Sequence, residues 1–249
     1  MLCRLFWMSS LLWSMLAFGH SFVEPNDKDQ YDEIERFGAA DEAVFMQTIA
    51  VIQTSYQTYT QEKNLKPLRI GSFWSDSTVN AYFTPQLQTN IVTVYGGLAR
   101  RPELTADGLA LVVCHEVGHA YGGRPDKASP VFRVSVEGQA DYYGAGSCLE
   151  RVLDQLPEPS PEPVPAAIRG FCNNSPLGAA RCERMLLAAA SVGRLLSFIK
   201  SEPVPDFETP DLTVVNATLQ SYPTRIQCRL DTYLRSILGQ TRPACWYRG

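Results

Sequence analysis

Residues His115-Glu116-Val117-Gly118-His119 spell H-E-x-x-H. On an α-helix, residues four apart share a face, with Cβ atoms about 5–6 Å apart. Two imidazoles placed in this way can bind one metal ion, and paired nitrogen ligands suit zinc. Glu116 lies about 100° further round the helix than His115, so it flanks the pair instead of joining it. That is where a base taking a proton from water would stand. Residues 109–120 are otherwise almost wholly apolar. Burying three ionisable groups in such a helix without a ligand would be costly.

A catalytic zinc ion usually takes a third protein ligand. The chain has only three histidines, and the third, His20, lies far upstream. The longer pattern H-E-x-x-H-x-x-G-x-x-H fails because Pro125 stands where its last histidine would be. A downstream carboxylate is therefore expected. Glu137, in Ser135-Val136-Glu137-Gly138-Gln139-Ala140-Asp141, leaves enough chain after His119 for a turn and entry into a second helix. Asp141, one turn further along the same helical face, can accept a hydrogen bond from a ligand imidazole and so fix its tautomer.

At these residues the chain resembles the gluzincin zinc metallopeptidases that include HtpX, BepA and the CAAX prenyl proteases (peptidase family M forty-eight). In that family H-E-x-x-H is joined to a later E-x-x-A-D, which matches Glu137 to Asp141. Asn80-Ala81-Tyr82 and the stretch from Ile91 to Leu98 resemble its upstream strand segments, so the likeness covers roughly residues 68–145. The resemblance implies one Zn2+ held by His115, His119 and Glu137, with Glu116 catalytic and Asp141 orienting a ligand. It implies a polypeptide substrate whose backbone pairs with the strand near Ile91 to Tyr95. Near the C-terminus the family's His-Pro is replaced by Tyr222-Pro223, followed by Arg225-Ile226. Tyr222, Arg225 and Asn80 are candidates for contacting an oxyanion or the substrate. The implied fold is α+β, mainly helical and zincin-like, with a small β-sheet packed on an active-site helix pair.

The elements that must position these groups can be read from periodicity. Residues 32–62 carry a helical apolar face with a break near Gly38. Residues 68–74, 79–83 and 91–95 read as strands, with Gly96-Gly97 closing the last. Thr105 can cap the H-E-x-x-H helix, Asp107 suits its first turn, and Gly122-Gly123 ends it. Ser129-Pro130 resembles the start of a second helix running towards Leu156. Prolines at 157, 159, 161, 163 and 165 mark an extended loop or linker. Helices are expected over 179–199 and 225–238. The domains read as a signal peptide (1–19), a catalytic core (20–156), a proline-rich linker (157–167) and a helical C-terminal part packing on the core (168–249).

Composition narrows the function classes. Apolar residues make up 45% of the chain and charged residues 19%, which suits a packed core and excludes a disordered chain. The net charge of −4, without a long basic run, argues against nucleic acid as a partner. Residues 1–19 have a basic start, a short apolar stretch and small residues at 17 and 19, so cleavage is expected between Gly19 and His20. No later segment is apolar enough to span a membrane. With Cys3 removed, Cys114, Cys148, Cys172, Cys182, Cys228 and Cys245 form an even set that suggests disulfides, Cys172–Cys182 being the shortest closure in the tail. An exported protein, periplasmic or secreted, is expected. Its expected function is endopeptidase action on unfolded or envelope proteins. The alternative is a zinc-containing exported binding or chaperone-like protein without that activity.

Overall fold

The computed structural model describes residues 21–25, 40–128, 131–221 and 225–249. The fold is α+β. Its first helix, α1 (Glu42–Glu62), starts where Asp41 accepts a hydrogen bond from the Val44 amide at 2.8 Å. Three strands follow: β1 (Leu68–Phe73), β2 (Ala81–Pro85) and β3 (Asn90–Tyr95). They form one sheet in the order β1-β3-β2, with β1 parallel and β2 antiparallel to β3. The central strand is therefore β3, and both its edges are occupied. This corrects the expectation that the 91–95 strand pairs with a substrate. The outer edge of β1 is partly covered as well. From α1, the Gln53 side chain donates to the Leu68 carbonyl at 2.9 Å and accepts from the Ile70 amide at 2.7 Å. Among the described residues, the sheet's open edge is that of β2.

Gly96 and Gly97 do not simply end β3, because they begin a single helical turn, α2 (Gly96–Ala99). The central helix is α3 (Ala106–Tyr121), capped by Thr105 and ended at Gly122 as the sequence suggests. It contacts α1, β2, α4 and α7. Leu109, Leu111, Val113 and Val117 are fully buried, and each such side chain stabilises the fold by about 1.5–3 kcal/mol. At its positive end, Asp107 is buried against the guanidinium of Arg184, with bonds of 2.7 and 2.9 Å.

The second helix starts later than expected. Residues 131–135 (Val-Phe-Arg-Val-Ser) favour an extended chain. They contribute β5 (Arg133–Ser135), which pairs antiparallel with β4 (Asp126–Ala128). Helix α4 (Glu137–Tyr143) begins only after Val136 and continues through a π-helical stretch, Gly144–Leu149, into α5 (Glu150–Val152) and a 3-10 turn. After the proline-rich segment come α6 (Ala166–Cys172), α7 (Ala179–Lys200) and α8 (Ile226–Ile237). One apolar core joins α1, the sheet and α3 to α7 and α8. A smaller cluster of Val136, Cys228, Cys245 and Trp246 braces the start of α4.

Three disulfides close the chain: Cys114–Cys148, Cys172–Cys182 and Cys228–Cys245. Among the described residues, no helix is long and apolar enough to cross a membrane.

Candidate metal centre

Two helices meet at the site, and missing side chains let them touch. A Cβ on Gly118 of α3 would lie 2.5 Å from the Ala140 carbonyl of α4, and one on Gly144 would lie 2.9 Å from the His115 amide nitrogen. Glycine at both positions lets α3 and the α4–π segment pack backbone to backbone. That approach brings the first residue of α4, Glu137, over the histidine face of α3.

His115 and His119 point their rings into this junction, 4.8 Å apart between centroids and nearly perpendicular. The Nδ1 of His115 is 2.7 Å from Asp141 Oδ1, and that of His119 is 2.8 Å from the Ser135 carbonyl. Both partners are acceptors, so each Nδ1 donates to its partner and each Nε2 is turned into the junction, where it can bind a metal ion once free of any proton. Those two Nε2 atoms each lie 3.4 Å from the same atom, Glu137 Oε2. Glu137 Oε2 is buried and has no hydrogen-bond partner. Glu116 approaches from the side, its Oε1 at 3.9 Å from His115 Nε2.

Ligand atoms of His115, Glu116 and His119 lie within 4.8 Å of one another, a grouping that could hold a metal ion. Two carboxylates thus compete for the third place. Glu137 is the closer of the two, and its oxygen is equidistant from the two imidazoles.

Comparison with protein-family models, curated proteins and solved structures returns no match for this chain.

The cluster attracts positive charge. Burial works against a charged His115, but Asp141 beside it, with Glu137 and Glu116 nearby, raises its pKa to about 10. Burial likewise disfavours the Glu137 carboxylate, yet the two histidines beside it hold it well below the usual range. Asp141 is fully buried, which alone would raise its pKa. The Arg229 guanidinium and His115 bring it down to about 2. Glu116 is different: burial raises it, with the histidines only partly offsetting that effect. A carboxylate pushed upward is better matched to exchanging protons near neutral pH.

Of the residues picked from the sequence, His115, Glu116, His119, Glu137 and Asp141 come together. Asn80 is buried at the entry to β2, where its carbonyl accepts from the Tyr95 amide at 3.3 Å. Arg225 is exposed at the start of α8. Tyr222 lies outside the described residues.

The sequence reading missed four contributors. Arg229, one turn beyond Arg225, donates to both oxygens of Asp141 at 2.8 and 2.6 Å. Tyr233 donates to Asp141 Oδ1 at 2.8 Å. The Ser135 carbonyl orients His119, and the Phe83 ring stacks on the same imidazole at 6.2 Å. Arg229 and Tyr233 are four apart and buried beside the predicted apolar face of α8. A charged residue so close to Leu230 was the one signal in the sequence.

Proposed function

We propose that the chain is an exported zinc-dependent endopeptidase of the gluzincin type, with a zincin-like core. His115, His119 and Glu137 would hold one Zn2+. The observation that carries this reading is the pair of 3.4 Å separations from Glu137 Oε2 to the two imidazole nitrogens. Donor atoms about 2.0–2.1 Å from a tetrahedral zinc ion stand about 3.3–3.4 Å apart, so both carboxylate–imidazole separations fit the ion. A buried carboxylate oxygen equally close to two imidazole nitrogens on a neighbouring helix is the arrangement a shared ion would need.

When bound, zinc supplies Lewis acidity towards a carbonyl and lowers the pKa of water. The rest is the chain's own work. Glu116 accepts the proton of the attacking water and passes it to the leaving amine, a role that suits its raised pKa. Asp141 holds the His115 ring, and Arg229 with Tyr233 holds Asp141. The open edge of β2 runs beside α3, with Phe83 against His119. An extended peptide can add to that edge through main-chain hydrogen bonds, which suits a polypeptide substrate over a small molecule. The three disulfides suit an oxidising compartment, periplasmic or extracellular.

The test pairs metal analysis with cleavage of unfolded casein. The protein should hold one zinc ion and lose cleavage with a chelator. Glu116→Gln should keep the ion and lose cleavage. Full cleavage by that variant, or metal-free protein after loading with zinc, would overturn the proposal.

A further inference from the structure

Helix α4 presents a metal-ligand candidate at its first residue, yet its own sequence does little to hold that end. The residue before Glu137 is Val136, which makes no side-chain cap bond. A first turn without a cap keeps unsatisfied amides and opens easily. Support comes instead from the C-terminal tail, residues 239–249, which meets α4 at three places. The Tyr142 hydroxyl donates to the Gln240 carbonyl, and Arg242 Nε donates to Gln139 Oε1 at 2.6 Å. Trp246 is fully buried, and the six-membered ring of its indole covers Gly138 so closely that a Cβ there would run into it.

The indole is itself held on every side. Its Nε1 donates to Thr232 Oγ1 of α8 at 3.0 Å, and its carbonyl accepts from the Leu219 amide at 2.9 Å. The Cys228–Cys245 bridge ties the preceding residue to the same helix. Gly138 and Gln139, the two residues after Glu137, are thus clamped, while the Glu137 side chain faces the histidines.

Glu116 is held differently. It belongs to the long helix α3, and its Oε1 is 3.9 Å from His115 Nε2, against 3.4 Å for Glu137 Oε2. A small retreat of Glu137 would therefore leave Glu116 as the nearer carboxylate. A carboxylate bound to the ion cannot also take a proton from water.

We propose that Trp246 is a positioning residue that makes Glu137, and not Glu116, the third metal ligand. The role rests on the zinc-site reading and names what keeps the proton acceptor off the metal. Without the indole, the first turn of α4 opens, Glu137 withdraws, and Glu116 on α3 takes its place. General loosening would weaken the site without changing the acid on which it depends, so an exchange of acids separates positioning from stability.

The experiment measures zinc affinity by chelator competition in the unaltered chain and in Trp246→Ala, each alone and with Glu116→Gln or Glu137→Gln, with circular dichroism to establish folding. In the unaltered background, Glu137→Gln should weaken zinc binding about 100-fold and Glu116→Gln less than about threefold. In the Trp246→Ala background the order should reverse, with Glu116→Gln costing about tenfold or more and Glu137→Gln less than about threefold. Trp246→Phe keeps a ring against Gly138 and should restore the original order. Should Trp246→Ala fail to fold, Arg242→Met frees Gln139 from the tail without emptying the interior. It should shift the dependence from Glu137 towards Glu116 by about threefold or more. An unchanged order in the folded variant overturns the proposal. A chain that holds no zinc overturns it together with the metal reading. An exchanged order in a protein that never cleaves casein supports the positioning role and removes the peptidase reading alone.

Discussion

Asp141→Asn probes the buried network that holds the His115 ring. Asp141 is fully buried, and its two oxygens accept from both arms of Arg229, from Tyr233 and from His115. Asparagine keeps the shape but replaces one acceptor with a donor and removes the charge. Whichever way the amide turns, an N–H faces an N–H or O–H, and the Arg229 guanidinium is left buried without its counter-charge. Breaking a buried pair on one side costs about 3–5 kcal/mol. The His115 ring also loses its orienting acceptor, which should weaken zinc binding about 10–100-fold. Adding Arg229→Met removes the stranded charge, so the double variant should recover about 2 kcal/mol or more of the lost stability. Its zinc affinity should not recover, because the carboxylate is still missing. Stability is read from urea unfolding of metal-free, disulfide-intact protein at matched m-values. Affinity is read from competition with a chromogenic chelator. A loss below about 1 kcal/mol in the single variant, or a double variant no more stable than the single, would refute the reasoning.

Gly118→Ala places a methyl 2.5 Å from a backbone carbonyl that cannot move aside, so it should lower stability by about 1–3 kcal/mol and zinc affinity with it, as unfolding and chelator competition would show. Replacing Cys114 and Cys148 together with alanine should cost about 2–4 kcal/mol. It should also weaken zinc binding more than the same change at Cys172 and Cys182, because Cys114 adjoins His115 and Cys148 follows the helix of Glu137 and Asp141. His115, with its pKa raised to about 10, holds a proton at neutral pH in the metal-free site. Zinc binding should therefore release about one proton and weaken as the pH falls, which calorimetry in buffers of different ionisation enthalpy will detect.

The parts of the site legible in sequence are those whose geometry is local. His115 and His119 share a face because they are four apart on one helix, and Glu137 and Asp141 do so for the same reason. Arg229 and Tyr233 were not legible, because only the packing of α8 against α4 brings them to Asp141 across a long stretch of chain. Arg225, chosen by likeness, stands one turn too early on that helix to share Arg229's burial. The β4–β5 ladder was hidden because Ser129-Pro130 reads as a helix start. It matters, because β5 supplies the carbonyl that orients His119. Helix α6 escaped because it is short, starts directly after Pro165 and depends on the Cys172–Cys182 bridge for its anchorage. Strand order was not read from the sequence, although the central β3 is the most buried of the three and carries the β-branched run Ile91-Val92-Thr93-Val94.

The side chain of Gln53 has a consequence beyond local tidiness. A sheet bare on both rims can recruit further strands at either side, and repetition of that step has no natural end. Here one amide group satisfies the Leu68 carbonyl and the Ile70 amide at once, so recruitment along that stretch of β1 is disfavoured. Two molecules meeting rim to rim through β2 would each use up the edge left open among the described residues, and such a contact closes on itself as a pair instead of propagating into a fibre.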